Sequence, residues 1–219
     1  MKATGSVTTP VPAGRARARN RRGEGGRLRA EIIDAASDLL DETGDQHAVT
    51  LRSVARRVGV STPSIYRHFP DHAAVMLAVV QRQFAGLERL LRAAVEQAGD
   101  DPRQRLLAVC DTYLDFARHH PSRYRTMFGG LWTPSPADSS LTETDRVMLG
   151  ASSMAVLVDA LGDCATVGAV TSTDVPTDAT ALWVGLHGLA HQRVVTPSFH
   201  CPQHITERVI TSLARLTES

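Results

Sequence analysis

The run from Leu51 to Phe69 leaves this chain few ways to fold. Leu51, Val54, Ala55 and Val58 recur at helical spacing and form one apolar face. Gly59 then ends that helix where a positive φ costs nothing. Val60 plugs the corner, Ser61 or Thr62 caps a second helix, and Pro63 sits in its first turn, where a missing N–H is harmless. Ile65 and Phe69, four apart, turn back toward Val54 and Val58 and leave Thr62, Ser64, Arg67 and His68 outward. Two short helices joined by a tight turn, with a polar side offered at one end, make a helix-turn-helix, a shape suited to a DNA major groove.

The rest of the chain reads as helix as well. A first helix is expected near 28–43, with Ile32, Ala36, Leu39 and Leu40 on one stripe and Gly44 ending it. Asp71 caps a long fourth helix running to about Ala98 through Met76, Val79, Val80, Leu87, Leu90, Leu91 and Ala94. Asp101-Pro102 starts a fifth, and Pro121 separates it from a short helix over Ser122–Phe128. The stretch 129–140 reads as a loop, 141–164 as one further helix, and two last helices lie near 177–195 and 203–217. No strand pattern or internal repeat stands out.

At these residues the chain resembles the TetR family of transcriptional regulators. Gly59-Val60-Ser61 and Tyr66-Arg67-His68-Phe69 match that family's signature in register, and the resemblance extends over roughly Arg27 to Val80. It departs from the pattern at His72, where the family usually carries a lysine at the start of helix four. A phosphate contact there is expected to be weaker and pH-dependent. The resemblance implies an all-α fold: an N-terminal three-helix helix-turn-helix domain joined by the long fourth helix to a helical ligand-binding and dimerisation domain. Residues 1–26 then form an Arg-rich arm, 27–75 the DNA-binding domain and 76–219 the effector-binding and dimerisation domain.

Charge agrees with a polyanion partner. Of 24 Lys and Arg, residues 1–29 hold eight against Glu24 alone, leaving 16 cations against 22 acids in the remainder. The first 26 residues lack apolar periodicity and read as a disordered arm, one that either lies along phosphates or enters a minor groove, or is a solvated start that only aids solubility. They have no apolar stretch of the kind a signal peptide needs, and no run is long enough to span a membrane. Three widely spaced cysteines, Cys110, Cys164 and Cys201, argue against a disulfide framework and for a reducing, cytoplasmic setting.

In the body, Trp183-Val184-Gly185-Leu186-His187-Gly188 resembles a Trp-x-x-x-His-Gly motif of one subgroup of that family, and His120–Phe128 resembles its short sixth helix. The resemblance implies a pocket for a small, often apolar effector and a homodimer made by the last two long helices. The pocket candidates are Tyr113, Phe116, Tyr124, Met127, Phe128, Trp132, Met154, Trp183 and His187, each also open to a plain core role. Gly185 and Gly188 allow close helix approach, between copies or within the chain.

The resemblance further implies that Thr62, Pro63, Ser64 and Arg67 face base edges, with Arg67 suited to a bidentate guanine contact. Tyr66, His68, Thr50 and Arg52 would hold phosphates of a double-stranded operator, repression being the family's usual mode. A competing reading is metal sensing, because His187 and His191 lie four apart and His200, Cys201 and His204 follow. Enzymatic readings find no nucleophile elbow, phosphate-cradling glycine loop or dinucleotide fingerprint, and no cofactor is expected.

Overall fold

The computed structural model describes residues 25–129, 140–195, 202 and 204–217. Among them the chain forms ten α-helices and a single antiparallel bridge between Val170 and Leu216. The helices are α1 (Gly25–Thr43), α2 (Leu51–Val58), α3 (Thr62–Tyr66), α4 (His72–Gln97), α5 (Pro102–His119), α6 (Pro121–Phe128), α7 (Glu143–Val147), α8 (Ala151–Thr166), α9 (Val175–Val195) and α10 (Ile205–Leu213).

Two separate apolar cores share α4. The first fills the space between α1, α2, α3 and the opening turns of α4, where Ile32, Val49, Val54, Ile65 and Met76 are wholly buried. The second lies between the remainder of α4 and helices α5, α8 and α9, around Leu87, Leu106, Leu161, Leu182 and Leu186. Leu90, expected on the buried stripe of α4, is instead 45% exposed. The buried positions Phe84, Leu87 and Leu91 follow the 3–4 spacing that keeps one face inward, and Leu90 falls beside it.

Helix starts follow local chemistry. The Asp71 carboxylate accepts the N–H of Ala74 at 2.7 Å, and the Asp101 carboxylate accepts that of Arg103 at 2.9 Å. The single helix expected over 141–164 is in fact two. Thr142 and Asp145 close a turn that starts α7, and the chain then breaks at Met148–Gly150 before α8. Gly150 adopts φ +78°, and a Cβ there would stand 2.8 Å from the ring of Phe84. Only glycine meets both demands without strain.

Polar links cross between the two cores. Arg82 of α4 pairs with Asp34 of α1, and Arg123 of α6 reaches Asp41 of α1 at 3.0 Å. The second carboxylate oxygen of Asp71 accepts the Ser140 N–H at 2.8 Å, tying the segment that leads into α7 to the start of α4. At the other end of the body, buried Asp178 accepts from Ser172 and pairs with Arg215, clipping the last residues to the start of α9.

Candidate DNA-reading face and effector cavity

The reading unit is built by caps. Thr50 Oγ1 accepts the Ser53 N–H at 3.0 Å while Ser53 Oγ accepts the Thr50 N–H at 2.9 Å, fixing the first turn of α2 from both sides. Gly59 sits at φ +76° and donates its N–H to Ala55, which turns the chain sharply into α3. Ser61 occupies the N-cap of α3 with an extended backbone, but its hydroxyl bonds that of Ser64 at 2.9 Å rather than a backbone N–H. Ile65 and Phe69 point inward onto the core, as their spacing requires, and the Arg29 guanidinium lies 4.9 Å over the Phe69 ring.

This leaves Thr50, Arg52, Pro63, Tyr66 and Arg67 exposed, with Thr62, Ser64, His68 and His72 half-buried along the same edge. Tyr66 is 56% exposed, an unusual place for a large ring unless something covers it. Arg57 is committed to Glu42, whereas Arg52 and Arg67 have no carboxylate partner among the described residues. α3 is only five residues long, so Arg67 stands at its C-cap and His68 just beyond. The arm of residues 1–26 lies almost wholly outside the described residues.

The body encloses a cavity of about 480 Å³ bounded by α4 to α9 and the α7–α8 turn. Of the pocket candidates, Tyr113, Met127, Phe128, Met154 and Trp183 line it. Tyr124 and His187 stand behind the Tyr113 wall: His187 Nδ1 lies 3.0 Å from the Tyr113 hydroxyl and 3.1 Å from that of Tyr124. Tyr124 also donates to the His187 carbonyl oxygen at 3.2 Å. Phe116 does not reach the cavity. It packs against His120 with the rings tilted, 5.3 Å between ring centres, in a polar groove between α1 and α4. Trp132 lies outside the described residues.

Sequence reasoning missed Phe84, Leu87 and Leu91 of α4, together with Val147, Leu149, Gly150, Ser153 and Thr180, all of which line the cavity. The Leu149-Gly150 pair was the available signal, because it interrupts an otherwise regular apolar pattern.

Burial, and then the neighbouring His191, hold the His187 imidazole below its ordinary pKa, so it is neutral at neutral pH. Burial likewise pushes Tyr113 upward and Tyr124 up to about 12, keeping both phenols protonated. Among the described residues the metal alternative finds no support. No three of their His, Cys, Asp or Glu side chains converge, His204 is exposed beside Glu207 at 3.8 Å, and His200 and Cys201 lie outside the described residues. Gly185 faces α10, where an added Cβ would collide with Leu213 and press on Val209, while Gly188 faces open space.

Comparison with known proteins gives two family matches. Residues 32–79 match the model of bacterial regulatory proteins of the tetR family, and residues 106–216 match a tetracyclin repressor-like C-terminal domain. The HTH-type transcriptional activator FasR of Mycolicibacterium smegmatis is 35% identical over 108 residues, 49% of this chain and 48% of that protein. The nucleoid occlusion factor SlmA of Vibrio campbellii is 28% identical over 104 residues, 46% of this chain and 51% of that one. The chain thus aligns with about half the length of these curated relatives.

Among solved structures, a Rhodococcus sp. RHA1 protein of unknown function has a TM-score of 0.68 at 26% identity, covering 89% of this chain and 95% of its own. FadR of Bacillus subtilis, solved with stearoyl-CoA, has a TM-score of 0.64 at 13% identity, covering 84% of this chain and 97% of its own, which speaks to the fold alone.

Proposed function

This chain belongs to the TetR family of DNA-binding transcriptional regulators, and on that premise we propose that it works as a homodimer whose grip on a palindromic operator changes when an apolar effector fills the 480 Å³ cavity. The observation that carries this reading is that α4 serves two structures at once. Its first turns complete the core behind the reading helix, and Phe84, Leu87 and Leu91 further along it form the cavity wall. A ligand that packs better against one tilt of α4 than another biases the position of α3 by that difference in affinity, and by no more.

Arg67 and the neighbouring edge of α3 take the base-reading role, and Thr50, Arg52, Tyr66, His68 and His72 the phosphate contacts. Domain limits at residues 27 and 75 suit the two cores, with α4 shared between them. α8 and α9 are the last two long helices, and α9 supports the dimer with an exposed stripe of Thr180, Val184 and Gly188 spaced four apart; Val184 is 57% exposed. The chain's mode in this reading is repression, and no helix among the described residues is long and apolar enough to cross a membrane.

Fluorescence anisotropy on DNA upstream of the chain's own coding region, against scrambled competitor at two salt concentrations, tests the proposal. Competitor-resistant binding by two subunits per site is expected. Arg67→Ala should weaken the cognate site by about 1–3 kcal/mol and relax one base preference. An equal loss on specific and random DNA would remove Arg67 from base reading.

A further inference from the structure

Residues 140–150 touch α4 at two levels, once at the reading unit and once at the cavity. At one end the Ser140 N–H is held by the Asp71 carboxylate, whose other oxygen caps α4. At the other end Gly150 lies against the Phe84 ring and leads into α8. Between these anchors the chain is one bonded unit. Asp145 accepts the Thr142 N–H at 2.9 Å and the Thr142 hydroxyl at 2.7 Å, and Met148 donates to the Thr144 carbonyl oxygen at 3.0 Å. Val147 and Leu149 line the cavity, yet Val147 is 67% exposed, so it stands on the rim. Met148 beside it is exposed as well. Two large apolar side chains left in water next to an apolar cavity gain burial by moving onto its contents.

We propose, resting on the reading of this cavity as the effector site, that residues 140–150 are a strap that closes over the bound effector and gives up the Asp71–Ser140 hydrogen bond as it does so. Gly150 is the hinge, because it carries no side chain to resist rotation where the Phe84 ring holds the chain. The lengths on either side of Val147 decide the outcome. Val147 is three residues from that hinge, about 5 Å, whereas Ser140 is ten residues from it, roughly 15–20 Å. An inward step of about 1 Å at Val147 therefore carries Ser140 roughly 3 Å, farther than a hydrogen bond survives. The Asp71 carboxylate and the effector thus compete for the strap, and filling the cavity is felt at the N-cap of α4.

The test uses the full chain at neutral pH with 1-decanol as the probe, its binding read by tryptophan emission and calorimetry. Saturating decanol is expected to speed amide exchange at Ser140, followed by NMR, by about threefold or more. Asp71→Asn keeps an oxygen for the α4 cap but turns a donor toward the Ser140 N–H, so closure loses its opponent. Decanol should then bind about fivefold more tightly, the worth of one hydrogen bond. A residue that only stabilised the fold would leave that affinity unchanged or lower it. Unaltered or slower exchange at Ser140 in the decanol-bound parent overturns the proposal, as does equal or weaker decanol binding by Asp71→Asn. Either result leaves the cavity an effector site. If decanol does not bind the parent at all, the effector-site reading fails and the strap with it.

Discussion

Asp71 is the point at which the reading domain, the long helix and the cavity cap meet, so its replacement separates what each contact contributes. One carboxylate oxygen caps α4 through Ala74 and the other accepts the Ser140 N–H. Asp71→Ala removes both. Loss of an N-cap costs about 1 kcal/mol, within a range of roughly 0.5–2. The Ser140 bond adds about 0.5–1.5 kcal/mol, for a total near 2 kcal/mol. In a chain of this length that lowers Tm by about 4–8 °C.

Asp71→Asn keeps an oxygen for Ala74 but turns an amide donor toward the Ser140 donor, so it should lose only the second part. Thermal melts followed by circular dichroism check both. Burial raises the Asp71 pKa, but the N–H groups of Ala74 and Ser140 outweigh it and hold the carboxyl below its usual value. A group depressed in the folded state stabilises above its unfolded pKa and loses that contribution as pH falls through the folded value. The gap between parent and Asp71→Ala should therefore be full at neutral pH and close progressively below about pH 4. If the alanine variant melts with the parent at neutral pH, or the asparagine variant loses as much as the alanine one, the two-contact account is wrong.

Gly150→Ala should destabilise by about 2 kcal/mol, since φ +78° disfavours an L side chain and the new methyl presses on Phe84; an unchanged melt would contradict the left-handed turn. Burial pushes the Cys110 thiol up to about 12 and that of Cys164 up to about 11, so both should resist an aromatic disulfide reagent at pH 8 until the chain is unfolded. More than one thiol reacting in the native protein would refute that. Arg123→Ala breaks the exposed contact with Asp41 and should shift stability by less than about 1 kcal/mol, yet alter how far effector changes DNA affinity in the anisotropy assay. An unchanged ligand effect would exclude α6 from the coupling.

The reading unit was legible in the sequence because its determinants are local. Thr50, Gly59, Pro63 and Asp71 each act on backbone atoms within a few residues. The cavity was not, because it arises where α4, α5, α8 and α9 cross. Tyr113 and Phe116 are both buried aromatics on α5, three residues apart, yet one faces the cavity and the other the groove beside α1. Periodicity marks both as inward and says nothing of which neighbour each meets. The break at Gly150 was hidden for the same reason, being set by the Phe84 ring 66 positions earlier in the chain. The Trp-x-x-x-His-Gly segment drew attention to the right helix, but the glycine used in packing is Gly185, which takes Leu213 and Val209 from α10.

The double duty of α4 makes it a gear between two length scales. Phe84, where the helix first touches the cavity, stands about 18 Å along the axis from His72, where it meets the reading unit. Pivoted at that level, a tilt of roughly 10° carries the far end about 3 Å, close to the ~3.4 Å rise per base pair along the DNA axis. A ligand that shifts side chains by a fraction of that distance could thus put a subunit out of phase with its half-site by one rung of the ladder.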